Sequence, residues 1–418
     1  MKNRDNSLVT KRIRNARLAT FASFMLIGAM MYIWSTSVSA YRHFLGFSGA
    51  QGDADFGMIA LGIGIGAAAG SLLIGRFIDI FGPKKVVGFT LILYPLSIIP
   101  MGWVSAFWFS LTAGIVMGVL RGATDTAVNA HGVQVERFYK RPIMSGFHAC
   151  YSLGGFLFGL VGSYLAALYP QSAAVSFTLV GIFLLIAAII ITRYLLDKDE
   201  IVEDDWLQSD NSLSKSEPTS NNNSYIIMLM VGFGVLLLGG MIGENAVGDW
   251  GQEYLNRVVG TSTAVAGMAI SFFTGAQFVG RLMGDRLAEK LGAGRFVFYS
   301  GICALIGLLL QIFGGSANAA IAGYALFGFG LSCLAPLMLS SAGRKDPKNA
   351  GRNIGIVNGI GYFGMLLSPA ALSLIVTNFG IEKLLYFPLC LIILLTILAP
   401  RIMRDSKSEK KAVSLQAN

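Results

Sequence analysis

The chain has 418 residues, 54% of them hydrophobic and 13% charged, with a formal net charge of +9. Soluble domains carry roughly 25% charged residues, so an ordinary soluble enzyme or regulator is excluded. The apolar residues are gathered into blocks that reach the ~20 residues needed to cross a bilayer, and the mean hydropathy is +0.63; both features mark an all-α polytopic membrane protein.

Twelve apolar segments follow in chain order, at 17–40, 56–75, 86–102, 106–128, 143–168, 172–194, 225–247, 263–282, 295–314, 318–340, 353–377 and 382–400. The basic N-terminus resembles a signal-peptide start, but the apolar block behind it is long and lacks a cleavage site, so it is read as a retained first helix. Span 1 contains "MYIWSTSVSAY", in which Tyr32, Ser35 and Ser39 share one side and Trp34 is placed to stack on the apolar face of a ring-shaped ligand. Span 2 ends in "GRFIDIFGPKK", with Gly75, Asp79, Gly82, Lys84 and Lys85. Asp79 there is expected to accept from a helix N-terminus, where anions are favoured, or to pair with a basic residue such as Arg141.

Span 4 ends in "VLRGATDTAVNAHG", with Arg121 and Asp125 four residues apart and therefore on one helix face. An arginine facing lipid there would cost several kcal/mol, so the pair is expected to face a cavity. If Arg121 is drawn away, desolvation favours a proton on Asp125, which makes the two candidates for proton coupling. Glu136 and Arg141 in the next loop extend the expected gate network. Span 5 carries His148 and Ser152 one turn apart, followed by Gly155 and Gly159, a small polar stripe on one face.

The polar stretch 196–224 is acidic and then Ser/Asn-rich, the composition of a flexible linker. It divides the chain into an N-terminal six-helix half (1–195) and a C-terminal half (225–400), with a tail at 401–418. "GENAVGDWGQEYL" at the far end of span 7 places Glu244 and Asn245 toward the cavity, with Asp249 a further candidate and Trp250 on a different face from Glu244, where it can anchor at the interface. Gln277 in span 8, and Asn358 with Tyr362 in span 11, complete the expected substrate-contacting set. After span 8, "GRLMGDRLAEKLG" repeats the segment after span 2, with Asp285 and Arg286 as counterparts in the gate. Each position also has a plain packing role open to it: an interfacial aromatic for Trp34, a satisfied buried histidine for His148, a fixed ion pair for Arg121 and Asp125.

Lys and Arg distribute 28 to one side of the twelve spans and 3 to the other. Cytoplasmic connections carry the basic excess, so both termini are expected in the cytoplasm. The charge is topological, and no nucleic-acid partner is expected. The four cysteines lie at no metal-ligand spacing and read as small packing residues. The Gly-x-Gly fragments of 57–75 sit inside a membrane helix and do not make a dinucleotide site. No enzyme motif, metal site or cofactor site is found.

The spacing Gly75, Asp79, Gly82, Lys84, Lys85, set in twelve spans and partly repeated half a chain later, resembles the loop signature of the major facilitator superfamily. "NAHGVQVE", "RPIMSGFHACYSLGG" and "GENAVGDWGQEYL" are similar to its bacterial YbjJ/MosC-like branch. The second copy departs by one inserted residue before Asp285, and its glycine is delayed to Gly292. Glycine is usual four residues after the span 4 arginine in the superfamily, and Asp125 stands there instead. The resemblance implies a transporter of a small polar compound in the bacterial inner membrane; the leading reading is a monomeric secondary transporter of a sugar- or cyclitol-like solute, working by alternating access and coupled to protons. Drug or metabolite efflux is the competing reading, although span 5 lacks the Gly-Pro signature of drug antiporters. A non-transporting sensor on the same fold is the third.

Overall fold

The computed structural model describes residues 9–139, 143–197, 200, 222–345 and 350–403. The first half contains α1 (Lys11–Leu45), α2 (Gly49–Phe81), α3 (Pro83–Ile98), α4 (Phe107–Tyr139), α5 (Met144–Leu168) and α6 (Ala174–Thr192). The second half begins with α7 (Asn222–Asn245), which continues through a π-helical turn (Ala246–Trp250), an α turn (Gly251–Tyr254) and a second π turn (Leu255–Val259). It goes on with α8 (Thr263–Leu291), α9 (Ala293–Phe313), α10 (Ala317–Leu331, resuming as Leu334–Lys345), α11 (Ala350–Phe379) and α12 (Tyr386–Ile402). Among the described residues, eleven helices are long and apolar enough to cross a membrane; the apolar part of α11, Leu367–Phe379, is shorter.

The helices overrun the apolar windows. At 33 residues, α4 is about 50 Å long, well beyond the ~30 Å hydrocarbon core. Hydropathy marks only the part in lipid, whereas the backbone ladder continues into water. Two expected loops therefore vanish. Asp79 lies on α2, Glu136 on α4, and Asp285 and Arg286 on α8, while Lys84 opens α3. The chain reverses at one glycine each time: Gly82 (φ 82, ψ 158) between α2 and α3, and Gly292 (φ 79, ψ 144) between α8 and α9. A side chain rarely tolerates that positive φ. The matching angles make Gly292 the counterpart of Gly82 despite the altered spacing.

Packing repeats as well. α1 lies on α5, α2 on α4 and α3 on α6; α7 lies on α11, α8 on α10 and α9 on α12. The halves meet where α2 packs on α11 and α5 on α8, two contacts that a twofold axis interchanges. In lipid, close packing replaces the hydrophobic drive between helices, and glycine permits it. A Cβ on Gly154 would stand 2.1 Å from the Met25 carbonyl oxygen. A leucine there must push α5 off α1. Overpacking costs about 1–3 kcal/mol or more, so Gly154→Leu is expected to lower the melting temperature and the yield of monodisperse protein in size-exclusion chromatography. Gly75→Ala, where no atom of another described element lies within 4 Å of a new Cβ, should leave both unchanged.

On the side that charge assigns to the cytoplasm, the exit of α6 is tied back to its own half. Arg12 donates to Glu200 (2.8 and 2.6 Å) and to the carbonyls of Tyr194 and Leu195 (both 2.6 Å). Burial opposes the charge on Glu200, but the Arg12 bonds and the Asp197 amide hold its carboxyl below the usual range. His131 accepts from the Leu196 amide at Nε2 (2.9 Å) and pairs with Thr20 Oγ1 at Nδ1 (3.1 Å). Thr20 already donates to the Ala16 carbonyl, which assigns the ring proton to Nδ1.

Candidate functional site

Between the halves, α1, α4, α5, α7 and α8 bring polar groups together deep within the bundle. Arg121 on α4 is half-buried and interacts electrostatically with Tyr94, Tyr151, Asp249 and Asp125. It forms no ion pair with Asp125. The expected i, i+4 pair has its basic member on the N-terminal side, the weaker orientation. Side chains lean toward the helix N-terminus, so the long arginine runs back into the bundle, away from Asp125. Asp125 instead accepts from Asn129 Nδ2 (3.3 Å), which also donates to the Asp125 carbonyl (2.9 Å).

Glu244 on α7 accepts from Gln277 Nε2 on α8 and interacts electrostatically with Arg281. Asn245 and Gln277 are buried beside it. His148 on α5 is exposed within the bundle, its ring edge-on to Phe24 at 5.0 Å. Sequence reasoning missed Arg281, which it counted as a loop charge. Because α8 runs on to Leu291, Arg281 lies well inside the helix, one turn from Gln277 and on the same face. Its guanidinium donates to Ser152 Oγ, to the His148 carbonyl (3.2 Å) and to the Ser332 carbonyl (3.4 Å), joining α8 to α5 across the halves. The signal was the spacing of Gln277 and Arg281.

Trp34 does not offer a free face. It is buried, stacked against Phe56 (6.4 Å) and Phe177 (6.2 Å) and tilted against Tyr41 (5.5 Å). Asp249 lies in the π turn Ala246–Trp250, whose i to i+5 hydrogen bonding shifts its phase on the helix. Asp249 is half-buried and interacts with Arg121 and the Trp34 indole.

Of the expected gate residues, Lys84 Nζ pairs with Asp197 Oδ2 (2.6 Å), within its own half. Glu136 Oε2 accepts from the Ile143 and Met144 amides (2.5 and 2.9 Å) at the start of α5, so it compensates a helix N-terminus. Arg286 is exposed. Arg141 and the side chains of Asp79, Asp285, Asn358 and Tyr362 lie outside the described residues.

The opposite end is closed by a network that sequence reasoning left as scattered loop charges. Arg42 Nη2 bonds Asp53 Oδ1 (2.6 Å), and Arg42 Nε approaches Glu253 Oε2 (3.3 Å). Arg257 bonds both oxygens of Asp53 (2.6 and 3.1 Å). Gln252 accepts from the Ser39 amide (2.7 Å) and donates to the Thr36 carbonyl (2.5 Å), while Asn256 donates to Ser39 Oγ (2.9 Å). Arg42 also lies over the rings of Phe56 and Trp250, at 5.1 and 5.7 Å. Two cations and two anions thus balance in a nearly dry seam, each half contributing one of each sign.

Comparison with known proteins follows from this geometry. A family model described as Major Facilitator Superfamily matches residues 18–243 and 224–417. The uncharacterized transporter y4wD of Sinorhizobium fredii is 29% identical over 355 residues, covering 85% of this chain and 89% of its own length. Membrane protein MosC of Rhizobium meliloti is 25% identical over 370 residues, covering 87% and 84%. Among solved structures, the D-xylose-proton symporter matches with a TM-score of 0.70 at 14% identity, over 94% of this chain and 97% of its own. Nucleoside transporter NupG matches with a TM-score of 0.68 at 12% identity, over 95% and 100%. At those identities the likeness to solved structures is one of fold.

Proposed function

Because the chain belongs to the Major Facilitator Superfamily, whose members are transporters and not enzymes, we propose that this secondary transporter moves a small polar organic solute, of sugar or cyclitol type, across the bacterial inner membrane by proton-coupled alternating access. One observation carries the reading. Polar groups from both halves converge on one interior region (Arg121, Asp125 and His148 from the first, Glu244, Gln277 and Arg281 from the second) beneath a seam of ion pairs that closes the outer end. Amide, imidazole and carboxylate groups suit hydroxyl-rich solutes, and charges inside a membrane bundle mark solute or ion pathways. Arg121 and Asp125 are the proton-coupling residues of the proposal. Asp79, Lys84, Glu136, Arg141, Asp285 and Arg286 form its cytoplasmic gate.

Uptake into proteoliposomes under an imposed pH gradient tests it, screened over sugars, cyclitols, amino acids and hydrophobic cations. Accumulation of a sugar or cyclitol that collapses with a protonophore is the expected result. Extrusion of hydrophobic cations would replace the reading with efflux. No flux of any class, from protein that is folded and inserted, would favour a sensor.

A further inference from the structure

The flanks of the two halves carry cations in matching places. Lys85 is the third residue after the reversal at Gly82, and Arg295 the third after the reversal at Gly292. Phe89 and Tyr299 follow one turn later on the same helix faces, 65% and 55% exposed. α3 lies against α6, and α9 against α12. Each of these neighbours ends in an exposed cation, Arg193 at the close of α6 and Arg401 in the last turn of α12. A glycine tightens each crossing: a Cβ on Gly88 would stand 3.3 Å from Thr192 Cγ2, and one on Gly294 3.4 Å from the Pro400 carbonyl oxygen. Counted from those contacts at about 1.5 Å per residue, Lys85 and Arg193 differ in depth by about 3 Å, and so do Arg295 and Arg401.

All four cations are exposed, and among the described residues none of them forms an ion pair or a side-chain hydrogen bond. Lys84, one residue before Lys85, is by contrast paired with Asp197. Deeper along the same helices the surface is apolar and open: Ile186 and Ile190 on α6, Leu394 and Ile397 on α12, each about half exposed. Orientation in the membrane requires only that enough cations stay on the cytoplasmic side. It does not require two of them level on adjacent helices, twice, in register with the internal repeat. We propose that each flank holds the anionic headgroup of an inner-leaflet phospholipid, one between Lys85 and Arg193 and one between Arg295 and Arg401. Arginine offers the phosphate a planar fork and lysine a point charge. The acyl chains run along the exposed apolar faces of α6 and α12. Basic pockets between spans on the cytoplasmic side suit such headgroups, and each cation near an anionic surface adds to the attraction. A headgroup whose own ammonium balances its phosphate gains less.

Native mass spectrometry counts the lipids retained by the purified full chain, stripped in detergent and then offered equal amounts of phosphatidylglycerol and phosphatidylcholine with matched acyl chains. Wild type is expected to retain phosphatidylglycerol in preference, up to two molecules. Neutralising one cation should weaken retention at its site about fivefold. Lys85→Gln with Arg193→Gln, or Arg295→Gln with Arg401→Gln, should therefore leave a single site, and all four together none. Lys11→Gln with Arg14→Gln, which removes two exposed cations from the first turn of α1, should change nothing. Equal retention of the two lipids, wild-type retention in the fourfold variant, or an equal loss in the α1 variant overturns the proposal. So does displacement of the lipid by inorganic phosphate, which would make the flanks sites for a free anion. Should the fourfold variant fail to fold, Lys85→Gln and Arg295→Gln taken singly carry the test, and undiminished retention in both is equally fatal. A failed uptake screen leaves both lipid sites standing, and their loss leaves the transport reading intact.

Discussion

Asp53→Asn is expected to unlatch the outer face. Asp53 is 3% exposed and holds two guanidiniums, one from each half. The amide keeps the shape but leaves two cations facing one another in a site with little water. Breaking a buried pair by removing one partner costs about 3–5 kcal/mol. Arg42 retains Glu253 and the aromatic faces of Phe56 and Trp250, so the cheapest relief is to part α1 and α2 from α7. Ser39 sits inside the seam, 7% exposed and bonded to Asn256, which makes Ser39→Cys a reporter. Labelling by a membrane-impermeant maleimide should accelerate tenfold or more in the Asp53→Asn background, a tenfold change corresponding to about 1.4 kcal/mol. The parent chain without the introduced cysteine gives the background. Asp55→Asn is the control, because among the described residues Asp55 bonds only Gln51, on its own helix (2.9 Å). Equal labelling rates in all backgrounds would show that the ion pairs decorate the seam without holding it.

Arg281→Gln should disable the transporter and weaken the contact between α5 and α8. The guanidinium bridges Ser152 and the His148 carbonyl on one half to the neighbourhood of Glu244 on the other. Losing the donor leaves the Ser152 hydroxyl and the His148 and Ser332 carbonyls unpaired, at about 1–3 kcal/mol for a buried unsatisfied group; in a cavity with some water about 2 kcal/mol is expected. Among the described residues, Glu244 would keep only Gln277. Transport is expected to fall by on the order of a hundredfold. Arg281→Lys, which supplies charge without the planar fork, should recover only part of it. A thermal-unfolding cycle isolates the electrostatic part without a substrate. The double variant Arg281→Gln with Glu244→Gln should be more stable than Arg281→Gln alone, because the orphaned carboxylate is gone. Strictly additive changes would mean that the two charges do not compensate one another.

The sequence by itself determined the solvent, the number of spans and the duplication. Each follows from a local quantity: a run of about 20 apolar residues satisfies its backbone only as a helix in lipid, and the glycine, arginine and aspartate of the repeated segments recur by position. It also placed Arg121, His148, Glu244 and Gln277 in the interior, since polar groups in membrane spans turn away from lipid. It did not determine partners. Arg121 and Asp125 share a face but not a bond, because side-chain tilt sends the arginine toward the other half. Trp34 reads as a ligand platform in one dimension and is enclosed by Tyr41, Phe56 and Phe177 in three. Asp249 was legible as a candidate, but it lies in a π turn, a change of helical phase that no α-helical wheel anticipates. Arg42, Asp53, Glu253 and Arg257 lie up to 215 positions apart and form one network only because α7 crosses α1 at the outer end. Arg281, at the last turn of its apolar window, was grouped with the basic charges of the following segment, whereas its helix runs on to Leu291. Pairing between charges depends on which helices cross and at what depth, and that is a property of the packed bundle alone.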